Sequence, residues 1–192
     1  MRDLTSGKEG KRILRFALPM LLGNVFHQLY NVVDSVIVGN FIGKEALAAV
    51  GASFPVIFVF YALVLGITSG STVVIAQYFG AGDQQRVKRT IDTLFIFLFF
   101  ASILISFLGI LFSREIFMLL RLPEEVIPMA VLYLKIFFVV VIASFGFMGT
   151  SAALRGLGDS KTPLYFLIVS TVFNIGFDLL FVVVFGWGIA GV

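Results

Sequence analysis

Apolar residues fill five long stretches of the chain, at about 13–39, 47–79, 91–112, 127–149 and 163–185, and short polar segments rich in glycine and basic residues separate them. Each stretch reaches the roughly 20 residues that carry a helix across a hydrocarbon core of about 30 Å. The pattern predicts an all-α fold, a polytopic membrane helix bundle of about five transmembrane helices. Prolines and glycines punctuate it. Pro19 removes a backbone donor inside the first stretch and predicts a kink or weak point there, whereas Pro163 falls in the first turn of the fifth, where a helix accepts proline best. The second stretch holds Pro55 and exceeds what a perpendicular crossing needs, so it should tilt, kink or project. Its Gly66-xxx-Gly70 spacing predicts close approach by a neighbouring helix.

The first stretch is not evenly apolar. At about 100° per residue, Asn24, His27, Gln28, Tyr30, Asn31, Asp34 and Ser35 share an arc of about 160°, and Val25, Phe26, Leu29, Val32, Val33, Val36 and Ile37 occupy the other side. A carboxylate at membrane depth costs about 2.5–3.5 kcal/mol even on a lenient insertion scale, so Asp34 marks a polar, wet interior. A second carboxylate, Asp178, lies in the fifth stretch, with Asn174 and Ser170 at successive four-residue steps before it and Thr171 beside them. That spacing aligns the side chains on one stripe of a helix. Both stretches run in the same direction, and each carboxylate comes shortly before a terminating glycine, Gly39 or Gly186. At about 1.5 Å per residue the two acids therefore sit at similar depth, near enough to share one cavity.

Composition agrees with a bilayer. Hydrophobic residues make up 59% of the chain and charged residues 13%, the mean hydropathy is +1.06, and soluble domains are normally about 25% charged. The net charge of +3 reflects topology rather than an acidic partner. Arg2, Lys8, Lys11, Arg12, Arg15, Arg86, Lys88, Arg89, Arg155 and Lys161 fall on one side of the predicted bundle, and Lys44, Arg114 and Arg121 on the other. The positive-inside rule then places the N-terminus in the cytoplasm, and the chain is expected to be integral to the plasma (inner) membrane. Lys135 belongs to neither group; it either snorkels to the outer face or lines a cavity. Lys8, Lys11 and Arg12 before an apolar run, with Ala46-Leu47-Ala48 beyond it, imitate a signal peptide, but the run far exceeds the 7–15 residues of such a segment and reads as a retained first helix.

Several chemistries are excluded. The chain has no Cys, hence no disulfide or thiolate metal site, and no footprint for nucleic acid. Gly80-Ala81-Gly82-Asp83 and Gly156-Leu157-Gly158-Asp159 are outwardly similar to phosphate loops but lack Gly-Lys-Ser/Thr, so their glycines read as turn formers. No metal cluster, nucleophile motif or paired His and acid suggests an enzyme, and no cofactor is expected. What remains is the buried acids. Two carboxylates in one partly dry pocket cannot both ionise cheaply and titrate as a pair. They would exchange a proton, or hold a sodium ion at Asp34, Asn174 and Asp178 with help from the Tyr30 hydroxyl. A cationic substrate would compete with that ion for the same charge, which is the physical content of antiport. His27, Asn31, Gln28, Ser170 and Thr171 are candidates to line the cavity, His27 either as a neutral hydrogen-bonding residue or as a proton relay. The plainer reading is that Asp34 and Asp178 only tie helices together.

Taken in order, Pro19-Met20-Leu21-Leu22-Gly23-Asn24, Tyr30-Asn31-Val32-Val33-Asp34, Ala46-Leu47-Ala48-Ala49-Val50-Gly51, Gln77-Tyr78-Phe79-Gly80-Ala81-Gly82-Asp83 and Leu154-Arg155-Gly156-Leu157-Gly158-Asp159-Ser160-Lys161-Thr162-Pro163 resemble the N-terminal half of the multidrug and toxic compound extrusion (MATE) family. The resemblance spans nearly the whole chain. It implies a twelve-helix transporter of two six-helix lobes that expels organic, often cationic, drugs in exchange for protons or sodium ions by alternating access. In the DinF-like branch, an aspartate of the first helix and an Asn-xxx-Asp pair of the fifth form the cation-coupling site; Asp34, Asn174 and Asp178 match these, Tyr30 matches a tyrosine one turn before the first aspartate, and Pro19 matches a proline where the first helix bends. The acidic residues of the second lobe in the NorM-like branch have no counterpart here.

By that resemblance, residues 1–192 are an incomplete N-terminal lobe ending before a sixth helix, expected to need a missing C-terminal lobe or a second chain. The expected partners are a small organic cation and the lipid bilayer. Two other functions stay open: a lipid-linked oligosaccharide flippase of the same superfamily, for which Lys135 is the sole basic candidate in the cavity, and a non-transporting membrane assembly or scaffold subunit.

Overall fold

The computed structural model describes residues 9–191; Arg2 and Lys8, counted in the charge balance above, and Val192 lie outside the described residues. Five long helices carry most of the chain: α1 (Glu9–Ile37), α2 (Lys44–Gly80), α3 (Gln84–Leu119), α4 (Ile127–Gly156) and α5 (Lys161–Asp178). No strand occurs among the described residues. α1, α3 and α5 run from the near side, where the chain begins, to the far side, and α2 and α4 return. Four of the spans, α2, α3, α4 and Lys161–Val184, are long and apolar enough to cross a membrane. α1 has the length, 29 residues, but Asn24, His27, Gln28, Asn31 and Asp34 dilute it.

The helices outrun the apolar stretches at their ends. α3 begins at Gln84 and continues to Leu119, because a helix does not stop where hydrocarbon stops: Arg86, Lys88, Arg89 and Arg114 are good helix formers that prolong it into the wet zone. α1 runs through Pro19 without a break in the helix. Neither α1 nor α5 ends as a plain α-helix. Each passes into a π-helical turn, Val38–Ile42 after α1 and Leu179–Val184 after α5, within about a turn of Asp34 and directly after Asp178. Such turns widen the hydrogen-bond ring and are frequent at functional sites.

Packing divides the bundle in two. α4 lies at the centre of one unit and packs along both α2 and α3. Its buried residues join Ala46, Ala49 and Phe117 on the far side (with Val126, Ala130, Leu134 and Phe138), Val64, Leu94 and Leu98 at mid-depth (with Val141, Phe145 and Ala152), and Ile75 and Val87 on the near side (with Ala153). Glycines bring the backbones together. A Cβ at Gly109 would run into the Phe138 ring, and one at Gly156 would meet Ile75 Cγ2 at 2.7 Å and the Thr72 carbonyl oxygen at 3.1 Å. Two hydroxyls then bridge the helices: Ser106 Oγ donates to the Phe138 carbonyl at 2.7 Å and Thr72 Oγ1 to that of Ala152 at 3.1 Å. The Gly66-xxx-Gly70 prediction fails here, since a Cβ at either position meets nothing within 4 Å and both face outward. The spacing alone cannot say which way a small-residue face points.

The second unit is the pair α1–α5, in which Gly23 faces Leu167 and Leu164. It meets the three-helix unit chiefly on the far side, where Val38 of the first π-turn and Ile189 of the short 3-10 turn Gly188–Gly191 enter the cluster with Phe117 and Ala130. On the near side two turns share one construction. Gly82 and Gly158 take positive φ (74° and 86°), the next N–H returns to the preceding helix (Asp83 to the Tyr78 carbonyl, 3.0 Å; Asp159 to that of Leu154, 2.8 Å), and the aspartate caps the following helix. Asp83 Oδ1 accepts from Arg86 N at 3.0 Å. Asp159 accepts from the N–H groups of Lys161 and Thr162 at 3.0 Å and from Thr162 Oγ1 at 2.6 Å.

Candidate cation-coupling site

Asp34 and Asp178 are both buried, with relative exposures of 7% and 2%. Asp34 of α1 and Asp178 of α5 lie near each other across the α1–α5 interface, with Tyr30, one turn before Asp34, beside them. Asn174 Nδ2 donates to Asp178 Oδ1 at 3.4 Å. This leaves Asp34 Oδ1, Asn174 Oδ1 and Asp178 Oδ2 buried with no hydrogen-bond partner. Three orphaned acceptor oxygens from two helices, on residues in contact, are costly in an apolar surrounding unless a proton or cation joins them. Two carboxylates are acceptors only, so they close on each other solely when something positive sits between them. The donor set, two carboxylates, an amide oxygen and a phenol, is hard oxygen chemistry suited to a proton or a small monovalent cation; no group of three or more His, Cys, Asp or Glu that would hold a metal occurs among the described residues.

α4 adds a residue that sequence reasoning missed. Tyr133 sits beside both carboxylates, with Tyr61 of α2 behind it, and the Tyr61 ring lies 5.9 Å from that of Phe137 one turn along α4. The available signal was a lone hydroxyl aromatic in an otherwise apolar part of the fourth stretch, easily lost among 23 Phe. The site is thus formed by α1, α5 and α4 at the far-side end of the crevice between the two packing units.

The polar arc of α1 splits in two. Tyr30 and Asp34 turn inward, while Asn24, His27, Gln28 and Ser35 are exposed and Asn31 is half-buried. The outward group ties itself together. Asn31 Nδ2 donates to the His27 carbonyl at 3.0 Å and approaches His27 Nδ1 and Gln28 Oε1 at 3.3 and 3.4 Å, and Ser35 Oγ donates to the Asn31 carbonyl at 2.8 Å. Asn24 and Gln28 border an open groove of about 400 Å³ along α1 with Leu21, Val25, Leu29 and Val32. Of the other candidates, Ser170 is exposed, and Thr171, though buried, gives its hydroxyl to the Leu167 carbonyl at 2.8 Å. Pro19 is buried, more than three turns before Asp34. Lys135 is exposed and, two residues from Tyr133, points about 200° away from it around α4. It therefore turns its back on the carboxylates and does not line their cavity.

Comparison with known proteins decides the family. The MatE family model matches residues 19–180. The chain belongs to the MatE family. Members are transporters, not enzymes, and the long apolar helices make this chain an integral membrane protein. It is similar to the probable multidrug resistance proteins YoeA and YpnP of Bacillus subtilis (strain 168). The first is 38% identical over 160 residues, covering 83% of this chain and 35% of YoeA; the second is 34% identical over 189 residues, covering 98% and 42%. Among solved structures, a MATE transporter in the bent conformation superimposes with a TM-score of 0.90 at 26% identity, over 96% of this chain and 41% of that one. The chain thus spans well under half the length of these relatives, and the fold is that of a MatE N-terminal lobe.

Proposed function

We propose that this chain supplies the ion-coupling half of a secondary antiporter that exports organic, often cationic, compounds in exchange for protons or sodium ions. The observation that carries the reading is the trio of buried, unpartnered oxygens on Asp34, Asn174 and Asp178. In this scheme a proton or sodium ion joins the two carboxylates, with the hydroxyls of Tyr30 and Tyr133 at its edge. Its arrival cancels the charge that an organic cation would otherwise use, so each ligand lowers the other's affinity by one factor. Pro19 would let α1 bend as the α1–α5 pair shifts against α2, α3 and α4. The remaining lobe would come from further sequence or from a second chain, the cleft lying against the exposed polar stripe of α1, and the N-terminus would face the cytoplasm. The flippase reading loses its basic group, because Lys135 faces away from the crevice.

Sodium and proton binding to the chain tests the site directly. Sodium, unlike choline, should raise its unfolding temperature in detergent, as any ligand of the native state does, and Asp34→Asn and Asp178→Asn should each remove that response. For transport, an imposed proton or sodium gradient should drive ethidium out of vesicles containing the complete transporter, and either substitution should abolish the driven component. A folded chain whose stability ignores both sodium and pH would sink the reading.

A further inference from the structure

Arg114 of α3 and Lys135 of α4 lie at similar depth on the face of this helix pair that is turned away from α2. Their register is fixed by two contacts, the Ser106 hydroxyl bond to the Phe138 carbonyl at 2.7 Å and the seating of the Phe138 ring on Gly109. Arg114 lies five residues beyond Gly109 and Lys135 three before Phe138. In antiparallel helices both steps lead toward the far side, by about 7.5 Å and about 4.5 Å, so the two residues differ in depth by only about 3 Å. Their rotation agrees as well. Each follows by one residue a buried position of the interface, Ser113 and Leu134, and in antiparallel neighbours an equal advance of about 100° swings both side chains to the same flank. The opposite flank, with Tyr133 and Phe137, belongs to α2 and the carboxylate site.

Depth identifies what they meet. The uncharged stretch of α3 runs from Thr93 to Ser113 and that of α4 from Ile136 to Leu154, each close to the roughly 20 residues that span hydrocarbon. Arg114 and Lys135 therefore stand at the same far-side boundary of the hydrocarbon core, at the level of lipid phosphates. Both are exposed. The ion pair found among the described residues is Arg86 with Asp83, at the other side of the bundle, so neither cation forms a salt bridge with a carboxylate, Glu115 beside Arg114 included. Below them the groove is apolar, with Phe107, Val139 and Ile142 exposed, as acyl chains require.

We propose that Arg114 and Lys135 form a binding site for an anionic phospholipid in the far-side leaflet, the guanidinium and ammonium sharing its phosphate and the acyl chains lying in the α3–α4 groove. Arg supplies a planar two-donor fork and Lys a point charge, a pairing suited to a phosphodiester. The site is independent of the ion site, on the opposite flank of α4.

Native mass spectrometry of the whole chain in mild detergent, titrated with phosphatidylglycerol or phosphatidylcholine, tests this. The parent should retain phosphatidylglycerol in preference. Arg114→Gln and Lys135→Gln should each weaken that retention about fivefold, and together about thirtyfold, while Arg121→Gln, in the far-side loop, leaves it unchanged. Millimolar inorganic phosphate should not displace the lipid. Equal retention of the two lipids by the parent chain overturns the proposal without recourse to any variant. So does an undiminished preference in the folded double variant, or displacement by free phosphate, which would make the pair a simple anion site.

Discussion

Asp159 shows how much one carboxylate does when the chain around it turns back on itself. Its oxygens take two backbone N–H groups and one hydroxyl, and the Thr162 hydroxyl and N–H hold its carboxyl below the ordinary value of 3.8. A carboxyl depressed in the folded state contributes stability above its unfolded pKa and loses it as pH falls through the folded value. Asp159→Ala should therefore destabilise the chain by about 1 kcal/mol near neutral pH. The difference between variant and parent should vanish in strongly acidic buffer, as thermal unfolding across a pH series would record. The glycines of the Gly-Leu-Gly-Asp sequence announced such a turn, because glycine supplies the positive φ; the cap by the aspartate emerged only with the fold. The two buried carboxylates were conspicuous for a different reason: a charge in an apolar run stands out wherever it lies. Tyr133 was not, since a tyrosine costs little among phenylalanines and only the fold brings it to the acids.

Between helices, contact depends on direction, and direction is what a one-dimensional spacing withholds. Gly66-xxx-Gly70 looked like the packing motif but faces outward, whereas Gly109, with no such signature, takes the Phe138 ring. The two predict opposite responses. Gly109→Ala should cost about 1–3 kcal/mol through overpacking against α4, while Gly66→Ala should be neutral or stabilising, since alanine is the better helix former by up to about 1 kcal/mol; denaturant titration of α-helical circular dichroism separates them. Pro19 belongs at this scale too. Its missing N–H leaves the carbonyl of residue 15 without its helical donor, so Pro19→Ala should close that gap. The amide at position 19 should then resist hydrogen exchange, and gradient-driven export by the complete transporter should slow if bending there is part of the cycle. The π-turns after Asp34 and Asp178 lay beyond sequence reading, because no residue type demands a five-residue hydrogen bond; they arise where α1 and α5 meet the far-side cluster.

For the molecule as a whole, the number of helices and the predominance of lipid-facing apolar surface follow from the pattern of apolar stretches, whereas the division into an α1–α5 pair and an α2–α3–α4 unit depends on which faces interlock. That division places the two buried carboxylates in the crevice between the units, where a change in charge bears on how closely they meet. It also sharpens the question of orientation, because Lys135 now counts with the far side. Among the described residues, eight basic residues then lie on the near side, and four, Lys44, Arg114, Arg121 and Lys135, on the far side. Basic residues in short loops resist translocation, so the near side should be cytoplasmic. The chain has no Cys, which permits a clean test with single introduced thiols. Glu124→Cys, exposed in the loop between α3 and α4, should react with a membrane-impermeant maleimide in intact cells; Gln85→Cys, exposed at the start of α3, should react only after permeabilisation. The reverse pattern would invert the bundle, put the carboxylates nearer the cytoplasm, and require any ion that binds there to reach them from inside.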